Sequence, residues 1–434
     1  MESARVFPKF RWVVAFASAW AWFSFGVIVL TYSPILPVLS KEFGQQIGTL
    51  VIGLMAVNSV AMAIGTMLSG QLVDRFGPRK VLLASSILVL AYCLLIPVFS
   101  HTFTQLVVLR VYQGLVIGPL FATMASLTQR WFPRNEQGTV IGISKGVFAV
   151  GSGLLFLAVP MLLQRFHGNW RLVASLGGVL LAIQVILMTI ILFGKEPEVT
   201  RPAAAVATPS SNDFKTALSS PVFWVGAVLL AVAQGLMQSV NGVAPSYLMA
   251  PSPVGMGLKP FVSGHIMTFT QLGMITSGAL IGFMLRYIFR GSTKWLAATS
   301  FLAAGLVIGS LGQSFTHANL GMLFFLTGAL MNIGFPAVSV FITGNYPPQI
   351  LGKVFAISSG ISVLGGALFS GACGAILNSS HSYSAVFAFL LMIGALGFLL
   401  GAFLLNPLKA YKPSAAVAAE ISANRSAPSV LGVR

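Results

Sequence analysis

Long apolar runs follow one another along the chain, separated by short clusters of Gly, Pro, Lys and Arg. An α-helix needs about 20 apolar residues to cross a hydrocarbon core of ~30 Å. Twelve runs reach that length: 12–34, 47–70, 80–99, 103–129, 138–163, 171–194, 221–249, 261–285, 295–314, 318–343, 353–377 and 383–406. Two hydrophilic stretches stand apart from them. One is KEPEVTRPAAAVATPSSNDFKTALSS at 195–220; the other is the tail at 407–434, read as disordered. The pattern predicts an N-terminal six-helix half over 1–194, a linker loop over 195–220, a C-terminal six-helix half over 221–406, and the tail. The first run exceeds a signal-peptide core, so it is read as a retained helix.

The halves are repeats. A shift of 214 residues lays FPRNEQGTVIGISKGV (132–147) over YPPQILGKVFAISSGI (346–361), matching Pro133 with Pro347, Gly138 with Gly352 and Gly146 with Gly360. The same shift pairs Gly114 with Gly328 and His167 with His381. The expected fold is therefore an all-α membrane protein, with twelve transmembrane helices in two pseudo-symmetric six-helix bundles. Duplicated halves are a common plan for secondary transporters, which place the substrate near the midplane where the halves meet.

Composition agrees: 56% of residues are hydrophobic and 8% charged, against roughly 25% charged in a soluble domain. The net charge of +17 would suggest nucleic acid in a soluble protein. Here the basic residues lie between apolar runs, where they act as topology signals, so no nucleic-acid partner is expected. With a cytoplasmic N-terminus, 19 Lys and Arg face the cytoplasm, four (Lys41, Arg165, Arg171, Lys259) face the other side, and Arg110 and Lys145 stay within spans. Both termini and the linker are then cytoplasmic, in an inner membrane or one derived from it. Cys93 and Cys373 sit inside apolar runs, which speaks against a disulfide or a metal site. No cofactor-binding loop and no nucleophile–base pair appears, so an enzyme is not expected.

The loop GQLVDRFGPRK (70–80) resembles the loop between helices 2 and 3 of the major facilitator superfamily through Gly70, Leu72, Asp74, Arg75, Gly77, Arg79 and Lys80. LRVYQG (109–114) resembles that family's fourth-helix motif through Arg110, Gln113 and Gly114. The resemblance implies alternating access, with helices 1, 4, 7 and 10 around the pathway. It also implies a gating role for Gly70, Asp74, Arg75, Gly77 and Arg79, in which Asp74 meets a helix N-terminus of the other half. In the second half Arg286 stands where Asp74 would be, so the latch is one-sided.

An ionisable residue within a membrane is a functional candidate by default. Arg110 and Lys145 qualify, and no Asp or Glu lies within any predicted span. Fixed positive charge without a carboxylate favours an anionic solute, which would supply the counterion. Each cation has a second reading: Lys145 snorkels to the interface, or Arg110 is held by backbone carbonyls. Gln234, Gln238 and Asn241 share one face of span 7 at i, i+4 and i+7. With Asn58, Gln271 and Asn332 they complete the candidate substrate-binding set.

The reading is a secondary active or facilitative transporter, acting as a monomer in membrane lipid, for a small anionic solute. Antiport fits the lack of an intramembrane carboxylate. The layout also resembles the oxalate/formate and monocarboxylate branches, although Thr268 and Ser359 stand where those carry cations. The run RWVVAFASAWAWFSFGVIVLTYSPILPVLSKEFG is similar to magnetosome-associated members of the superfamily, which implies transport of iron or an iron chelate. A third reading is a sensor or scaffold that no longer transports.

Overall fold

The computed structural model describes residues 9–132, 134–194, 217–312, 317–346 and 348–404. Among them there is no strand, and each of the twelve apolar runs lies on a helix. The helices are α1 (Arg11–Phe43), α2 (Ile47–Phe76, with a π turn at Ile52–Ala56), α3 (Pro78–Phe99), α4 (Phe103–Trp131), α5 (Arg134–Arg165) and α6 (Trp170–Phe193). The second half supplies α7 (Pro221–Met249), α8 (Pro260–Ile288), α9 (Thr293–Ser310), α10 (His317–Asn345), α11 (Pro348–Ser380) and α12 (Tyr383–Leu404). Eleven are long and apolar enough to cross a membrane. The twelfth, α9, has 18 residues, within the range that crosses a bilayer, and its first turn carries polar Thr293 and Lys294, which lower its mean hydropathy. Most of the linker (195–216) and the tail (405–434) lie outside the described residues.

Several helices outrun the predicted spans. Glu42, Asp74 and Glu136 consequently fall in terminal turns of α1, α2 and α5 rather than in loops. Terminal turns can extend past the hydrocarbon, where a carboxylate is readily hydrated.

The repeat seen in the sequence is a structural repeat. Gly77 and Gly291, 214 residues apart, both take positive φ (+79° and +83°) to turn α2 into α3 and α8 into α9. His167 and His381 end α5 and α11 with φ of 52° and 51°. Gly114 lies against the Asn58 carbonyl of α2, and Gly328 lies against the Thr270 carbonyl of α8. In each half a glycine thus lets two backbones approach where lipid offers no hydrophobic drive to hold helices together.

The pairings repeat as well: α2 packs on α4 as α8 packs on α10, α1 on α5 as α7 on α11, and α3 on α6 as α9 on α12. The halves meet through α5 with α8, α2 with α11, and the Ser33–Ile35 turn of α1 with α7. The last contact lies at the far face, opposite the start of α1. Pro245 has no N–H, so the Asn241 carbonyl one turn earlier loses its helical partner. The Ser33 hydroxyl donates to that oxygen from the other half. Asn378 Nδ2 donates to Thr49 Oγ1 at 3.0 Å, and Gly48 abuts Gly374. Together these contacts close the far face.

Gly328→Leu pushes a side chain into the Thr270 backbone. We expect it to lower stability by about 1–3 kcal/mol, read as a fall in the detergent melting temperature. Gly70, where an added Cβ would meet nothing within 4 Å, is the control: Gly70→Ala should leave the melting temperature unchanged or raise it slightly.

Candidate functional site

At the junction of the halves lies a cavity of about 120 Å³. A few polar groups converge there within a mainly apolar lining, the usual character of a small-molecule site. Trp22, Phe25, Val29 and Leu30 of α1, Ser59 and Met62 of α2 and Phe148 of α5 form the N-terminal wall. Ala233, Gln234, Met237, Gln238 and Asn241 of α7, Met274 of α8, and Met331, Asn332, Phe335 and Pro336 of α10 form the other. The aromatic residues come mostly from the N-terminal half, and all four carboxamides come from the C-terminal half.

The span-7 stripe thus faces this cavity, and Met237 completes it at i, i+3, i+4 and i+7. Gln238 Nε2 donates to Ser59 Oγ across the halves. Asn241 Nδ2 donates to the Met237 carbonyl at 2.9 Å and Asn241 Oδ1 accepts from Gln271 Nε2 at 2.8 Å. Gln271 is buried behind Asn241 and orients it from α8. Its own Oε1 has no partner among the described residues. Asn332 Nδ2 donates to the Met274 carbonyl (2.9 Å) and Ser277 Oγ (3.2 Å), which leaves Oδ1 for the cavity. Pro336 removes the helical donor for the Asn332 carbonyl. Gln234 makes no hydrogen bond to the described residues, so its amide can both donate and accept.

Arg110 and Asn58 do not line the cavity. They form a buried knot one layer behind α1. Arg110 Nε donates to the Leu54 carbonyl at 2.5 Å, inside the π turn of α2. Its other nitrogens reach Gln113 Oε1 and the Val29 carbonyl (3.4 Å). Its guanidinium lies 5.1 Å from the Tyr32 ring centroid. Gln113 Nε2 donates to the Ile28 carbonyl at 3.2 Å, and Asn58 Nδ2 to the Arg110 carbonyl at 2.8 Å. One guanidinium on α4 therefore ties α1 and α2 to it through backbone oxygens that lipid could not solvate.

Between α2 and α3, Gly77 makes the turn; Gly70 and Arg75 are exposed in the last turns of α2, Arg75 over the Phe76 ring. Arg79 Nη1 donates to the carbonyls of Ile191 (3.2 Å), Leu192 (3.3 Å) and Gly194 (2.6 Å), capping the C-terminus of α6. A cation there also complements the helix dipole. The side chains of Asp74 and Lys145 lie outside the described residues.

Sequence reasoning missed the aromatic and methionine lining. The signal for Met237 was present, since it sits inside the polar stripe. Trp22, Phe25, Phe148, Met62 and Met274 carry no such mark, because Phe and Met serve equally well against lipid.

Arg110→Lys should lower stability by on the order of 2–3 kcal/mol. A single ammonium cannot reach Leu54, Val29 and Gln113 together, so unpaired buried carbonyls remain. A melting temperature of Arg110→Lys equal to wild type would show that the knot does not hold the N-terminal half.

Comparison with known proteins agrees with this architecture. Residues 12–323 match the family model described as Major Facilitator Superfamily. A cis,cis-muconate transport protein of Acinetobacter baylyi is 25% identical over 79% of this chain and 81% of its own length. A 4-hydroxybenzoate transporter of the same organism is 24% identical over 89% of each chain. A probable chloroplastic anion transporter of Oryza sativa subsp. japonica is 34% identical, but over only 27% of this chain and 23% of that protein. The crystal structure of a D-xylose–proton symporter superposes with a TM-score of 0.75 at 17% identity, covering 94% of this chain and all of the other. None of these relatives is named for iron, and the iron reading has no counterpart among them. The chain is an integral, multi-pass membrane protein and belongs to the major facilitator superfamily of transporters.

Proposed function

We propose that the central cavity carries a small organic anion with an apolar, unsaturated body by alternating access. The observation that carries this reading is the division of the site: carboxamides on α7 and α10 facing a cavity whose α1 and α5 side is aromatic. A carboxylate needs directed donors, which the free amide of Gln234 and the second N–H groups of Gln238 and Asn241 supply. A flat apolar body suits Trp22, Phe25 and Phe148, with the methionines as adaptable contacts. Relatives that carry muconate and 4-hydroxybenzoate support the same class.

The electrostatics favour an anion. Arg110 is 1% exposed and its guanidinium lies against carbonyls, an amide and a ring, with no carboxylate among its described partners. A full positive charge this close to the cavity raises the potential inside it. Lys145 stands three residues before Phe148 on α5, the spacing of positions that share a helix face. In this proposal Lys145 is the cation that meets the solute from the N-terminal face. The 70–80 motif, with Asp74 and Arg75 between Gly70 and Gly77 and Arg79 just beyond, latches the cytoplasmic side when the site turns outward. Exchange of one anion for another suits a membrane interior whose sequence places no carboxylate mid-span.

Binding is read from thermal stabilisation of the detergent-purified protein, since a ligand of the folded state raises its apparent stability. Muconate or 4-hydroxybenzoate should raise the melting temperature, and the corresponding neutral amides should not. Gln234→Leu should weaken the response by roughly 10-fold, the effect of losing one directed hydrogen bond to a charged group. Equal stabilisation by acid and amide would overturn the anion reading. Uptake into proteoliposomes separates a transporter from a scaffold: Asp74→Asn transporting at the wild-type rate would remove the latch from the mechanism.

A further inference from the structure

The far-face end of α8 carries a feature that transport does not use. A groove of about 880 Å³ runs between α8 and α10 on the surface facing lipid, separate from the central cavity. Val262, Ile266, Phe269 and Phe325 make it apolar, Lys259 stands at its mouth, and His265 stands on its wall. Lys259 and His265 are both exposed, and neither side chain makes a hydrogen bond or ion pair with the described residues. His265 is flanked by Phe261 (6.4 Å, stacked) and Phe269 (5.7 Å, edge-on). A polar ring so placed on a lipid-facing surface has no hydrogen-bond partner among the described residues, and a lipid headgroup or ester supplies one.

Dimensions identify that partner. From Lys259 to Phe269 is ten residues of helix, about 15 Å at 1.5 Å per residue, which is half of a ~30 Å hydrocarbon core. With Lys259 at headgroup level, the groove therefore runs through the interface and along the upper part of the acyl chains of one leaflet. A cation at the mouth matches a phosphate, a polar ring about 9 Å deeper lies just below the ester level with its edge within reach of an ester carbonyl, and the apolar trough matches an acyl chain. Gly321 of α10 keeps the trough open, since a Cβ there would meet the Phe269 ring at 3.3 Å. We propose that this groove is a specific site for one anionic phospholipid of the far leaflet, held by Lys259 and His265 and seated along α8 and α10.

The test is native mass spectrometry of the purified full chain, titrated with equal amounts of phosphatidylglycerol and phosphatidylcholine. Wild type should retain one phosphatidylglycerol in preference to phosphatidylcholine, by roughly 5-fold for a single lysine at the surface. The double variant Lys259→Gln/His265→Leu should lose the preference, and Gly321→Leu, which fills the trough, should lower retention of both lipids. Lys41→Gln, which removes a far-face cation outside the groove, should behave as wild type. Size-exclusion profiles matching wild type establish that the variants are folded. Equal retention of the two lipids by wild type, an unchanged preference in the double variant, or the same loss in Lys41→Gln would each overturn the proposal.

Discussion

A hydrocarbon surround leaves no backbone oxygen to water, and this constraint organises the molecule more than any single packing contact. Where a helix departs from regular geometry a carbonyl is released, and it must find a partner in the protein or open onto a polar cavity. Pro245 releases the Asn241 carbonyl, and Ser33 arrives from the other half to take its place. The π turn of α2 loosens the ladder at Leu54, and Arg110 comes from α4 to bind that oxygen. The first of these contacts closes the far face, and the second fixes three helices of one half. The same irregularities that allow a helix to bend are therefore the points that tie the halves and the bundles together.

Much of this was legible in the sequence because it depends on backbone positions. The 214-residue repeat matched Gly114 with Gly328, and the structure gives both the same task against a neighbouring carbonyl. It also matched His167 with His381, and both end their helices in the left-handed region. Such sites tolerate few residues, so they persist when surrounding side chains diverge. The helix ends were less legible. Polar terminal turns of α5 and α11 read as loop, since hydropathy reports the depth of the membrane and not the end of the hydrogen-bonded ladder.

The cavity was legible on one side only. Gln234, Gln238 and Asn241 stand out because carboxamides on one face of an apolar helix have a cost in lipid that must be offset. The aromatic wall is invisible by the same reasoning, since the large rings of Trp22, Phe25 and Phe148 suit lipid, core or solute alike. Arg110 shows a further limit. Its charge marks it as special, and the sequence left open a solute contact and a hold on backbone carbonyls. The structure shows the hold, one layer away from the cavity, and only three-dimensional geometry could separate the two.

The hold leaves the charge of Arg110 next to the cavity, and in the proposed mechanism that charge explains the division of labour between the halves. A guanidinium held by two carbonyls and an amide is fixed in place, so it can shape the potential of the cavity without entering it. The position 214 residues later is Phe324, buried and apolar, so the C-terminal half has no such fixed charge there. That half instead presents carboxamides, which are neutral and able to donate. In the proposed mechanism one half supplies the charge and the aromatic surface, and the other supplies directional recognition. A solute is held fully only while both walls face it, so rocking the halves apart weakens both interactions together. A site divided in this way can release what it binds on either side of the membrane.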